Sequence, residues 1–486
     1  MLRITRLLCL AGIMATVCAA ATAHAQAPTE KGRTGLDLTA LLAKWTGDLD
    51  GMQGRRVIRV LTAYNRTLYF IDKGTERGTA ADQGRLLEAE LNKTLADGHL
   101  RVSVVFVPVS RDELLPALRD GRGDIAMANL TITPERRQIV DFVDPWLGNV
   151  DEIVVTGPNG PPMTSLDDLS GQEVFVRESS SYYQSLTALN EDFAKRGLKP
   201  ALIVPAPEEF EDEDLLEMAG AGLVKVLIVD NHKAWFWQRV IPSLKVYPAV
   251  ALRKGASIGW AIRKDSPRLK AALNAFLEKN GQDSLHARMI FRRYLLNTQY
   301  VKGATAEAEL KRFRDLIAYF RKYGGQYNLD WMLMAAQGYQ ESRLDQRARS
   351  QVGAVGVMQL MPATGEELKV DITKTEDNIR GGVKYIRFMI DKYYKNEPMD
   401  DLNKTLFSFA AYNCGPGRIK QLRREAAARG LDANVWFDNV ERVAAERIGR
   451  ETVTYVSNIY KYYVSYLLVQ GEYINRRNAR KASPSS

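Results

Sequence analysis

The chain has 486 residues, 45% of them hydrophobic and 26% charged, and a formal charge of +9. That length exceeds one ordinary core and implies two or three domains, while the composition excludes the disordered class. Four histidines scattered without ligand spacing, and no cysteine cluster beside them, exclude a recognisable metal centre, so neither metal nor cofactor is expected. Residues 1–25 read as an export signal: Arg3 and Arg6 precede an apolar run from Leu7 to Ala21, and Ala23-His24-Ala25 is a small-x-small cleavage site. A retained membrane helix is the alternative, but the run is short for a span. Cys18 follows Ala15-Thr16-Val17, which is not the pattern that precedes a lipidated cysteine. Cleavage after Ala25 removes Cys9 and Cys18, leaves Cys414 alone without a disulfide, and lowers the formal charge to about +7. A basic exported chain is drawn to anionic wall peptides or lipid head groups, or its charges serve solubility; with no recognition motif, nucleic acid is not an expected partner.

After a lead segment, residues 26–54, the chain from 55 to 265 alternates strand-like runs with amphipathic helices. The strands expected are Val57 to Leu61, Arg101 to Val109, Asp124 to Ala128, Asp151 to Val155, Glu173 to Val176, Ala201 to Val204 and Val224 to Val229. That order implies an α/β domain of two lobes with mostly parallel sheets. Within it, Gly121-Arg122-Gly123-Asp124-Ile125-Ala126, Leu130-Thr131-Ile132-Thr133-Pro134-Glu135-Arg136-Arg137 and Val140-Asp141-Phe142-Val143-Asp144-Pro145-Trp146 resemble the amino-acid-binding family of periplasmic solute-binding proteins. The resemblance implies that Arg136 clamps an α-carboxylate, that Asp230 takes an α-amino group, and that Thr131 and Ser181 add hydroxyl contacts. A guanidinium fork suits a carboxylate, and opposed charges across a cleft select a zwitterion. The ligand so implied is an amino acid or a stem peptide. One departure stands out: after Gly78 the family continues with an aromatic and an acidic residue, whereas this chain has Thr79-Ala80-Ala81. A domain kept as scaffold or docking surface is the other reading.

Residues 266–304 are expected to form a helical linker, with Leu269, Leu273, Phe276 and Leu277 on one face. Residues 305–473 read as a mainly α domain, opening on an amphipathic helix from Thr305 to Tyr323 that Gly324-Gly325 would end. Asp330 is a plausible N-cap for a helix from Trp331, so Glu341 falls in its last turn, where the negative dipole end disfavours a carboxylate. Met358, Leu360 and Met361 offer apolar cover, which also favours the protonated form. The glycines of Gly353-Ala354-Val355-Gly356 permit a tight turn. Residues 474–486 are expected to be a polar tail.

Gln340-Glu341-Ser342, the stretch from Ser350 to Pro362, and Ala410-Ala411-Tyr412-Asn413-Cys414-Gly415 occur in that order. They resemble the catalytic domain of soluble-type lytic murein transglycosylases, which share the goose-type lysozyme fold. Cys414 stands where that family usually has a small residue such as alanine. The resemblance implies that Glu341 is the single catalytic acid and base, and that Ser350, Gln359, Met361, Tyr412, Glu451 and Tyr455 line the saccharide cleft. It implies further that the β-1,4 bond between N-acetylmuramic acid and N-acetylglucosamine of peptidoglycan is broken without water, leaving 1,6-anhydromuramoyl ends. A solute-binding domain joined to this one behind an export signal resembles a family of membrane-bound lytic murein transglycosylases, placing the chain in the periplasm of a Gram-negative bacterium, peripheral on the inner face of the outer membrane. A lysozyme-like hydrolase and a non-lytic periplasmic sensor are the competing readings.

Overall fold

In the computed structural model, which describes residues 43–72, 74–94, 100–208, 210–303 and 307–482, the first half is built on strands. The expected signal over 1–25 and most of the lead segment lie outside the described residues. The strands are β1 (Val57–Thr62), β2 (Phe70–Asp72), β3 (Thr75–Arg77), β4 (Ser103–Pro108), β5 (Ile125–Thr131), β6 (Asp141–Phe142), β7 (Leu147–Thr156), β8 (Glu173–Val176), β9 (Leu202–Pro205), β10 (Val226–Asp230) and β11 (Lys245–Ile262). β2 and β3 form a separate hairpin; the rest make one sheet in the order β4-β1-β5-β11-β7-β10-β8-β9, with β6 paired to β11. β1 lies parallel to β4 and β5, and β8 lies parallel to β9 and β10. Parallel pairing therefore holds within each lobe, while β7 and β11, which cross between the lobes, run antiparallel to their neighbours.

β11 is absent from the strands expected above. Its sequence carries Pro248 and Gly255, which weaken a strand signal, and its register against β7 shifts repeatedly, first between Tyr247 and Ala251, so that bulges absorb the proline. One lobe packs Ile58, Val60, Phe106, Ile125 and Trp260; the other packs Val154, Val174, Leu227, Ile228 and Phe236. The helix Pro267–Asn280, expected in a linker, buries Leu269, Leu273, Phe276 and Leu277 in the first lobe's core.

The second half is helical, as expected. Its first helix, Glu307–Gln326, continues through Gly324 and Gly325 instead of ending there. Helices Trp331–Ser342, Pro362–Leu368, Thr375–Met389, Asp401–Cys414, Pro416–Ala428, Glu441–Ile448 and Arg450–Ala482 follow, and the last passes residue 473, where a tail was expected. They enclose Phe320, Met334, Met358, Ile386, Phe407, Trp436 and Val456, together with Val57 and Val105 from β1 and β4. The two halves thus share a core. Across the same seam Arg56 pairs with Glu441 at 2.7 Å and Lys461 with Glu88 at 2.7 Å. The β2–β3 hairpin docks on the helical half: the Tyr339 hydroxyl donates to Thr75 Oγ1 at 2.9 Å and the Tyr466 hydroxyl to the Gly74 carbonyl at 2.9 Å. No helix of the described residues is long and apolar enough to cross a membrane.

Candidate active site and solute pocket

Asp330 caps the Trp331–Ser342 helix as expected, its Oδ1 accepting the Met332 N–H at 2.9 Å. Every residue from Leu333 to Tyr339 is buried, so the helix is enclosed on all sides, which fixes it and aims its last turn. The helix stops abruptly because Arg343 and Leu344 both adopt left-handed backbone, at φ 56° and 61°. Such strain in two non-glycine residues persists only where surrounding contacts dictate it. Ser342 supplies one of them: its hydroxyl donates to the Val357 carbonyl at 2.8 Å and accepts the Asp345 N–H at 3.1 Å. The serine of the Glu-Ser pair is a strut between helix end and loop.

Glu341 is half-buried at that helix end. Burial pushes its carboxyl up to about 7, against a smaller opposing effect of the Tyr455 hydroxyl, which donates to Oε1. Gln337, fully buried one helical turn earlier, donates from Nε2 to the Tyr455 hydroxyl at 3.4 Å. Among the described residues Oε2 accepts no hydrogen bond, and no second carboxylate touches Glu341. The site therefore holds one carboxyl, titrating near neutrality, with one oxygen fixed from behind and the other available to a substrate.

The loop from Asp345 to Leu360 wraps this helix end. Gly353 and Gly356 take φ of 92° and 81°, as the expected turn requires, and Gln359 joins them at 47°. Asn378, fully buried, pins the loop by accepting the Met358 N–H at 2.8 Å and donating to the Val355 carbonyl at 2.8 Å and the Ile372 carbonyl at 2.9 Å. Ser350 Oγ accepts the Ala354 N–H at 2.9 Å, and the Gln359 amide donates to the Gly356 carbonyl at 2.8 Å, so both side chains help shape the turn. Met358 and Leu360 are buried, whereas Met361 is 41% exposed. Tyr412 donates to the Met358 carbonyl at 2.6 Å and packs edge-on against Tyr385, 5.5 Å away. Burial holds the Tyr412 and Tyr455 phenols well above their usual range, so both stay neutral donors. Glu451 is exposed in the first turn of the Arg450–Ala482 helix, a favourable end for an acid, and its neighbour Thr452 donates to Asn413 at 2.6 Å. Cys414 is half-buried, and burial pushes its thiol up. Gln337 and Asn378 were missed in the sequence. Gln337 was findable, lying four residues before Glu341 on the same helix face; Asn378 has no local signal.

In the first half, Thr131, Arg136 and Ser181 line one pocket between the lobes, open to solvent. Arg136 donates to the carbonyls of Thr131 at 2.9 Å and Ser179 at 3.0 Å, and the Ser181 hydroxyl bonds to Thr131 Oγ1 at 3.2 Å. Burial, and Arg111 nearby, lower the Arg136 guanidinium to about 10, which leaves it charged at neutral pH. Among the described residues no carboxylate pairs with it. Asp230 is elsewhere: it is buried at the end of β10, its Oδ2 lies 2.7 Å from the Lys233 ammonium, and the pocket wall presents Lys233 in its place. Arg111 pairs across the lobes with Glu211 at 2.8 Å, and Asn65 donates to Glu211 at 2.8 Å, so the lobes are drawn together.

The family profile "Transglycosylase SLT domain" matches residues 318–434, and "Bacterial extracellular solute-binding proteins, family 3" matches residues 58–297. Solved structures resembling the first half include an ancestral arginine-binding protein bound to arginine, 25% identical, covering 49% of this chain and 98% of its own, with a TM-score of 0.41. The chain is 30% identical to membrane-bound lytic murein transglycosylase F of Desulfosudis oleivorans, over 84% of this chain and 89% of the relative. It is likewise 30% identical to the protein of that name in Idiomarina loihiensis, over 86% of this chain and 92% of the relative. With both profiles in order, and relatives at this identity matched over nearly their whole length, the chain belongs to the membrane-bound lytic murein transglycosylase F family.

Proposed function

We propose that this chain cuts the β-1,4 bond between N-acetylmuramic acid and N-acetylglucosamine in peptidoglycan without adding water, through Glu341 alone. The supporting observation is the solitary carboxyl: burial brings it to about 7, and Tyr455 holds one oxygen from behind. Protonated Glu341 donates from Oε2 to the glycosidic oxygen as the bond to the anomeric carbon breaks. The resulting carboxylate takes a proton from the C6 hydroxyl of the muramoyl residue as that oxygen bonds to the same anomeric carbon. The product is a 1,6-anhydro end, and Glu341 is again protonated. Most glycosidases need two carboxylates because water or a second acid must attack; an internal hydroxyl removes that need. Tyr455 stabilises the carboxylate when it forms, Tyr412 faces the reacting sugar, and Ser350, Gln359, Met361 and Glu451 border the strand's path. Digestion of sacculi followed by mass spectrometry tests this. Products lighter by one water per cut are expected from the parent, and at least about a thousandfold less product from Glu341→Gln. Reducing ends would convert the reading to a hydrolase, and uncut strands to a sensor.

The first half, on this reading, binds a small ligand, an amino acid or muropeptide, through Arg136, and binding alters cutting. The β2–β3 hairpin supports such coupling, since it belongs to the half that holds the pocket and touches Tyr339, two residues before Glu341. On this reading the protein works in the periplasm, peripheral on the inner face of the outer membrane, which the export-signal pattern of residues 1–25 and the wall substrate support.

A further inference from the structure

We propose that the pocket between the lobes takes a carboxylate whose neighbouring nitrogen is acylated, as in an N-acylated amino acid or the last residue of a peptide, and rejects free amino acids. This rests on the reading that the first half binds a small ligand, and it replaces the zwitterion expected from the sequence. The determinant is Lys233. Its ammonium donates to Asp212 at 2.7 Å and to the Tyr182 hydroxyl at 3.1 Å, and lies 2.7 Å from Asp230 Oδ2 as an ion pair. A ligand's α-ammonium would need those same carboxylates, and would meet a buried cation already placed between them. The protein supplies internally the positive group that an amino acid would bring.

The charge of the wall agrees. Arg111, Arg136, Arg177 and Lys233 line the pocket with Asp212 as the acid among them, and Glu211 and Asp230 stand behind as partners of Arg111 and Lys233. Arg177 and Lys233 both pair with Asp212 and, despite burial, hold its carboxyl well below the usual range. The lining itself carries four cations and one carboxylate, a local positive surplus, and among the described residues Arg136 is the lining cation with no carboxylate within ion-pair distance, Glu152 and Asp230 acting on it from further off. That surplus suits a monoanion, whereas a free amino acid is neutral overall. The 15-residue helix Ser181–Lys195 opens on the pocket with Ser180, Ser181 and Tyr182, so its positive end adds to the preference for an anion.

Calorimetry on the full chain decides the matter with matched probes: free alanine, glutamate and lysine, their N-acetyl derivatives, and N-acetyl dipeptides ending in the same residues. The acylated member of a pair is expected to bind at least about tenfold tighter, and the dipeptides show whether a peptide end or a single acylated residue is preferred. Lys233→Met, which vacates the acids, is expected to reverse the order within the pair. Equal binding of free and acylated forms by the parent, or tighter binding of the free form, would overturn the inference without touching the small-ligand reading. If neither form bound the parent or the variant, the small-ligand reading itself would fall, and this inference with it.

Discussion

A carboxyl that must release a proton and then recover one works best when its pKa lies near the ambient pH, and Glu341 reaches about 7 through burial. In the proposed scheme the base of the second step is the carboxylate formed in the first, so the free enzyme requires only the protonated form. The pH profile of kcat/KM is therefore expected to be flat at acid pH and to fall about tenfold per unit above 7, with no acid limb. A bell with two limbs would require a second catalytic carboxyl and sink the single-residue scheme. Tyr455 favours the ionised form, so Tyr455→Phe is expected to move the descending limb to higher pH while lowering the rate. The same shift has a cost in stability. The folded pKa lies above the unfolded value of 4.5, so the stability that protonated Glu341 contributes is complete below 4.5 and is lost as the pH rises through 7. Glu341→Gln is accordingly expected to raise the melting temperature at pH 8 and to change it little at pH 4. The gain is at most about 3 kcal/mol, and less because water still reaches the half-buried carboxyl.

At the level of elements, the loop around Glu341 depends on two glycines for different reasons, and their substitutions should differ. Gly353 has nothing within 4 Å of where a Cβ would stand, so Gly353→Ala costs only the strain of its positive φ, about 1 kcal/mol. At Gly356 the added carbon would lie 2.5 Å from Asn378 Nδ2 and 2.6 Å from Gln346 Nε2. Those amides cannot retreat, since Asn378 is fully buried with its hydrogen bonds made and Gln346 is tied to the Ile372 carbonyl at 3.0 Å. Gly356→Ala is expected to cost about 2–4 kcal/mol in denaturant titrations and to lower glycan cleavage, and equal effects at the two positions would refute this account. Both glycines were legible in the sequence because a turn imposes a local demand; so were Asp330 and the position of Glu341, which follow from helix rules. Asn378 was not, because its loop partners Val355 and Met358 are distant in sequence and only folding brings them to it. Arg136 was legible through the family resemblance of the stretch from Leu130 to Arg137 that carries it. Lys233 was not, because its meaning lies in Asp212, which a separate helix carries to it. β11 escaped notice because a bulged strand with a proline lacks the alternation that reveals its neighbours.

For the molecule as a whole, the solute-binding half and the helical half fall into one compact unit, and the seam explains why. β4 is an edge strand of the sheet, and the last helix packs beside it, so an edge that would otherwise invite pairing is covered. Arg56 is the central electrostatic tie. Its guanidinium reaches Glu441 at 2.7 and 3.1 Å and Asp438 at 3.1 Å, and despite burial the two acids hold it above its usual range. Glu441 is fully buried, so deleting Arg56 leaves a charge in the seam that, among the described residues, keeps only the Ser457 hydroxyl and the Asp438 N–H as hydrogen-bond donors. Breaking such a pair from one side costs about 3 kcal/mol. Arg56→Ala is therefore expected to split a single calorimetric transition into two, one for each half, while Lys461→Ala, which removes a more exposed pair, leaves one transition. The seam also presses the β2–β3 hairpin against Tyr339, so the split should be accompanied by slower cutting even though Arg56 lies on no substrate path. A parent that already shows two transitions, or an Arg56→Ala variant that keeps one at the parent's temperature, would mean that the halves fold independently and that the hairpin contact transmits nothing.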